Sequence, residues 1–129
     1  IKNNFFCFEM DRWALLKHTV SNSLLSEVHF DFLVENGSDC LTWKIYEIPK
    51  VNGSLVKIKH QENHRLVWLT RDQQELSKGR GHVMRIDYGR YSIIENNLSQ
   101  SKFSLKLNGK LLVGIFKNQG DFCQLCENI

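Results

Sequence analysis

The chain has 129 residues, 42% of them hydrophobic and 24% charged, with a formal net charge of +3 and a pI near 8.7. That length suits one domain with a real core, the composition is that of a globular protein, and no apolar run approaches a membrane-spanning helix. So small a basic excess permits a phosphate-bearing partner without demanding one.

The chain opens on Ile1 rather than Met. Its apolar start, Phe5-Phe6-Cys7-Phe8, is too short for a secretory signal and lacks a small-residue cleavage site. Of the four cysteines, Cys7, Cys40, Cys123 and Cys126, only the last two form a C-x-x-C. Without a second pair or a His at finger spacing, they read as reduced thiols of a cytoplasmic protein rather than as a zinc site.

The first element, residues 12–18, has strand length and ends at His18. A Ser-rich connection over residues 19–27 then returns the chain to a strand over residues 29–35. Asn36-Gly37 is a hairpin signal, and its partner strand is residues 40–46. Pro49 closes that segment, and residues 55–60 alternate again. Gln61-Glu62-Asn63 reads as a polar corner before the run from His64 to Leu69. Residues 70–78 carry little periodicity and read as a loop or one helical turn. Gly79-Arg80-Gly81 leads into a strand over 82–87, Tyr88-Gly89 reads as a turn, and a further strand covers 90–94. Residues 102–107 and 111–116 form a second hairpin around Asn108-Gly109. Seven or eight short strands with no long amphipathic helix predict an all-β fold with at most a short helix, an antiparallel barrel or sandwich.

The stretch His29-Phe30-Asp31-Phe32-Leu33-Val34-Glu35 carries the chemistry. Alternation puts His29, Asp31 and Leu33 on one face and Phe30, Phe32 and Val34 on the other, with the imidazole and carboxylate about 7 Å apart along the strand. An H-x-D on a strand is also an ordinary surface pair. With His18 brought back by the connection, His29 and Asp31 would make a facial two-His, one-carboxylate site suited to Mn²⁺, Fe²⁺ or Zn²⁺. His64-Arg65 is a second candidate. Arg80 between two glycines is a third, because its guanidinium and neighbouring amides could meet a phosphate. His60 and His82 read as solvated strand positions.

In this order the motifs resemble the 3′-phosphoesterase domain of bacterial DNA ligase D and, more closely, its small stand-alone relatives. The resemblance rests on Lys17-His18, His29-Phe30-Asp31-Phe32 with Glu35, Leu41-Thr42-Trp43, Asn63-His64-Arg65-Leu66, and Gly79-Arg80-Gly81-His82-Val83. It continues through Asp87-Tyr88-Gly89-Arg90-Tyr91 and residues 103–111 with Gly114, and so covers residues 12–116 of a single domain over 1–129. It implies a compact antiparallel β-barrel of about seven to eight strands. The barrel lumen would hold a divalent metal, usually manganese with zinc as the alternative, on His18, His29 and Asp31, while Phe30 and Phe32 pack outward. It also implies that His64 contacts the substrate phosphate. The expected activity is hydrolysis of a 3′-phosphate or terminal ribonucleotide, with nucleic-acid 3′ ends or another phosphoester as partner and no membrane, in the service of DNA repair. The family arginine two residues after the aspartate is Leu33 here, the family tyrosine four residues after the phosphate-contacting histidine is Trp68, and the connection between His18 and His29 is longer. Arg65 or Arg80 could supply the missing positive charge. A barrel that binds phosphate or nucleic-acid ends without turnover is the alternative.

Overall fold

The computed structural model describes residues 11–21, 26–95, 98 and 101–128. Cys7 and the apolar N-terminal patch lie outside them. Nine strands follow one another: β1 (Arg12–Ser21), β2 (Ser26–Asn36), β3 (Asp39–Ile45), β4 (Val56–Arg65), β5 (Gln73–Leu76), β6 (Gly81–Glu95), β7 (Phe103–Asn108), β8 (Val113–Asn118) and β9 (Phe122–Cys126). Every strand–strand ladder is antiparallel, and the order β1-β2-β3-β4-β9-β8-β7-β6 closes through β1–β6, giving an eight-stranded barrel with β5 outside it against the start of β6. No helix among the described residues is long and apolar enough to cross a membrane.

The all-β barrel agrees with the sequence expectation, and several elements differ from it. Gln61-Glu62-Asn63 is not a corner, because β4 runs through it to Arg65. The apolar residues Leu66–Leu69 form a single 3₁₀ turn. The stretch 70–78, expected as a loop or helical turn, contains β5 and the start of a second 3₁₀ turn, Ser77–Gly79. Tyr88-Gly89 is not a turn either, since β6 continues through both. Gly89 is needed there because a Cβ would run into the side chains of Asn108 and Trp13. In the first hairpin, Asn36 pairs with Asp39, so the two turn residues are Gly37, at φ +74, and Ser38. β9 was not anticipated. It puts Cys123 in the core and Cys126 on the opposite side of the strand, three residues on, so the C-x-x-C does not converge.

Two hydrophobic clusters share the wall made by β1, β2 and β3. Inside the barrel, Trp13, Leu15, Phe32, Val34, Trp43 and Ile45 meet Phe103, Leu105, Leu107 and Phe116 from the opposite wall. Phe32 is at the centre, with its ring centroid 4.6 Å from Phe116, 6.0 Å from Trp13 and 6.3 Å from Trp43. Outside the same wall, Ala14, Leu16, Leu33 and Cys40 are covered by Leu69 and the partly buried Leu66, Trp68 and Leu76. A strand buried on both faces needs a continuous apolar run rather than alternation, and Trp13-Ala14-Leu15-Leu16 and Phe32-Leu33-Val34 supply it.

Candidate metal centre

The face carrying His29 and Asp31 is therefore the outer one. This corrects the expected arrangement, in which these residues lined the lumen and the phenylalanines packed outward. Phe32 is large and apolar, and the closed barrel interior is where it loses most water contact; the polar residues take the face closed only by the 3₁₀ turn and β5.

The β1–β2 hairpin brings the candidate ligands together by register. His18 lies directly opposite His29, and Leu16 opposite Asp31. The His18 and His29 rings meet edge-on with centroids 4.7 Å apart, and His29 Nε2 is 3.5 Å from Asp31 Oδ1. Ligand atoms of His18, His29 and Asp31 all lie within 4.8 Å of one another, the only such group of three among the described residues. Two donors on one ion can be about 4 Å apart, so small side-chain rotations complete a facial site.

The chemistry of these donors suits a cation. Asp31 is buried, and its carboxylate accepts no hydrogen bond from a described residue; its nearest ionisable neighbour is His29, whose Nε2 is 3.5 Å away. Burial lowers the His29 pKa, helped by His18 and Lys44 and opposed by Asp31 and Glu27, so the ring keeps a free lone pair at neutral pH. His18 Nε2 is 2.9 Å from the carbonyl oxygen of Arg80. A carbonyl only accepts, so Nε2 carries the proton and Nδ1 keeps the lone pair, as in the outer-shell partnerships that orient metal-bound histidines.

A β-bulge adds a further histidine. Thr42 pairs with Gln61 and Cys40 with His64, so β4 spends one extra residue against β3 between these pairs. The extra residue reverses the phase of the strand and turns His64 onto the face shared by Cys40, Leu33 and Asp31. His64 Nδ1 donates to the Glu62 carbonyl oxygen over 3.1 Å, which leaves Nε2 for a ligand. A pocket of about 250 Å³ results, with His18, Asp31 and His64 on its floor and Trp68, Leu76 and Arg80 on its walls.

Arg80 reaches this pocket from the turn before β6. Lys78 at φ +58 and Gly79 at φ +69 reverse the chain, and Ser77 holds the guanidinium through its carbonyl oxygen and its hydroxyl, each at 3.1 Å. Gly81, at φ +103, lies against the β1 backbone, where a Cβ would strike the Thr19 carbonyl. The second glycine of Gly-Arg-Gly thus seats β6 on β1 and fixes Arg80 beside His18.

Of the five sequence-predicted site residues, His18, Asp31, His64 and Arg80 line one cleft, and His29 adjoins it through His18 and Asp31. Leu33 shares their face but is sealed into the floor with Ala14 and Leu16. Trp68 is a wall. Leu76 was missed as a wall because Gln73-Gln74-Glu75 is too polar to read as a strand. Cys40 beneath His64 is no nucleophile, since burial pushes its thiol up to about 12. His60 stacks near Trp43 at 5.3 Å, and His82 bonds Glu75 at 2.7 Å. No family model and no curated protein matches the chain.

Proposed function

We propose that the chain is a metal-dependent phosphoesterase, a hydrolase acting on nucleic-acid 3′ ends that carry a phosphate or a terminal ribonucleotide. The observation that carries this reading is that His18 and Asp31, two members of the His18-His29-Asp31 group, line the same cleft as His64 and Arg80. A divalent ion such as Mn²⁺ or Zn²⁺, held by His18, His29 and Asp31, supplies Lewis acidity toward a phosphoryl oxygen and a more acidic bound water. Asp31 contributes the negative charge that offsets the cation. His64, anchored at Nδ1, offers Nε2 as a donor to a phosphoryl oxygen when protonated. Arg80 adds a fixed positive charge, held in place by Ser77, where phosphate charge develops. A cytoplasmic location suits such a substrate and the free thiols of Cys40, Cys123 and Cys126.

One observation favours a second reading. With Leu33 sealed in the floor and Trp68 lacking a hydroxyl, the cleft has fewer charged and hydroxyl groups than the family pattern, which suits a module that binds phosphate ends without turnover. The test is incubation with Mn²⁺ and primers ending in a 3′-phosphate or a single 3′-ribonucleotide. The phosphoesterase reading predicts conversion to 3′-hydroxyl ends by the wild type and none by Asp31→Ala. A wild type that binds Mn²⁺ and leaves every primer intact is the binding module.

A further inference from the structure

The metal pocket does not end at Arg80. Its walls Trp68, Leu76 and Arg80 are shared with a neighbouring concavity of about 390 Å³, whose far side is formed by Arg65 and Arg71. We infer that this concavity is a second anion subsite, walled by Arg65, Arg71 and Arg80, that takes a second phosphate group of the substrate whose first phosphate occupies the metal pocket. This assignment rests on the phosphoesterase reading for which phosphate occupies which place.

Three features carry it. First, positive charge is in excess: three guanidiniums against one carboxylate, that of Glu75, line the hollow, and among the described residues none of the three forms an ion pair. Glu75 is held by His82 at 2.7 Å, Asp72 pairs with Arg85 at 3.0 Å, and Asp39, opposite Arg65 in register, accepts from the neutral Asn63 at 3.1 Å. Three like charges around one hollow repel one another, a cost that a bound anion reverses. Second, donors remain free. Arg71 gives one bond to Gln74, Arg80 gives two to Ser77, and the Arg65 side chain gives none to a described residue, whereas each guanidinium has five N–H groups. Third, the partition between the two hollows is aromatic. Arg71 lies over the Trp68 ring at 5.1 Å, a stack that holds the guanidinium at the pocket wall and gives a flat apolar surface between two phosphate positions, as a nucleoside requires.

The shared chemistry is a second phosphate, carried either by a nucleoside bisphosphate or by the next linkage of a polynucleotide. Trp13 and Trp43 are 1% and 4% exposed, so ligand-induced change in tryptophan emission reports Trp68. Adenosine 3′-monophosphate, adenosine 3′,5′-bisphosphate and 3′-phosphorylated dithymidylate are titrated against the metal-free protein, in which nothing is turned over. At least one two-phosphate probe is expected to bind about tenfold or more tighter than the monophosphate, as one or two charge-assisted contacts give. Arg65→Gln with Arg71→Gln removes that advantage and leaves monophosphate affinity unchanged. A gain for the bisphosphate identifies a small nucleotide as sufficient, and a gain for the dinucleotide alone identifies the polymer backbone. Equal affinities for all three probes, or an advantage that survives the double substitution, overturns the subsite. A protein that shows the advantage yet hydrolyses no 3′ end keeps the subsite and loses the phosphoesterase reading; one that hydrolyses 3′ ends without the advantage does the reverse.

Discussion

Gly81→Ala separates a glycine needed for space from one needed only for conformation. At Gly81 the chain has φ +103, and an added Cβ would strike the Thr19 carbonyl oxygen and lie 3.0 Å from Thr19 C and Val20 Cα, all of it β1 backbone that cannot rotate away. Conformational strain alone costs roughly 1–3 kcal/mol, and the clash opens the β1–β6 seam, for a total near 3 kcal/mol. Gly79, at φ +69 with nothing within 4 Å, pays only the left-handed penalty of about 1 kcal/mol as alanine. With a urea slope of roughly 1–3 kcal/mol per molar, Gly81→Ala lowers the unfolding midpoint by about 1–3 M, and Gly79→Ala by about a third of that. The seam also positions the Arg80 carbonyl that holds His18, so Gly81→Ala weakens Mn²⁺ binding by about tenfold or more. Urea titration and Mn²⁺ titration of the two variants read both effects. Equal midpoints for the pair, or wild-type Mn²⁺ affinity in a destabilised Gly81→Ala, refutes the seating of β6 and Arg80 on β1.

Asp87 is buried, and its carboxylate accepts from the backbone amides of Tyr88, Lys110, Leu111 and Leu112, so Asp87→Ala unlatches the β7–β8 hairpin and costs about 2–4 kcal/mol in urea unfolding, with the buried Leu112 amide left unpaired. Burial pushes the Glu35 carboxyl up, but its bonds with Arg12 at 2.8 Å more than offset this and hold it below the ordinary carboxylate range. A depressed folded value means the ionised pair stabilises the barrel above the ordinary carboxylate range and that this contribution is lost as pH falls through the folded value. Glu35→Gln should therefore flatten the acid limb of a stability–pH curve, and an unchanged limb contradicts the pairing. Leu33→Arg buries an unpaired guanidinium beside Ala14 and Leu16 and destabilises by about 3–5 kcal/mol instead of raising turnover, as thermal unfolding and a primer assay would show.

The barrel was legible because short alternating strands separated by turn residues leave few other all-β solutions, and the proximity of His29 to Asp31 because the two alternate on one strand. The face those ligands take was misread. Alternation in residues 29–35 suggested one buried side, whereas the unbroken run Trp13-Ala14-Leu15-Leu16, opposite it in register, already required burial on both. His64 reached the site through a bulge, and a one-residue slip of pairing cannot be read from one strand alone. Tyr88-Gly89 looked like a turn because glycine also marks turns; here it answers to Trp13 and Asn108, contacts made by distant segments. β5 and β9 escaped for different reasons, the one too polar and outside the barrel, the other only five residues long.

The central claim is that His18, His29 and Asp31 act together on one divalent ion, and electron paramagnetic resonance titration with Mn²⁺ tests it most directly. Because these residues lie outside the barrel interior, their substitution leaves the aromatic core intact. The wild type is predicted to take up a single Mn²⁺ per chain, with His29→Ala and Asp31→Asn folded yet binding at least about tenfold more weakly. A folded wild type that takes up no Mn²⁺ or Zn²⁺, or variants that bind as tightly as it does, would contradict the account.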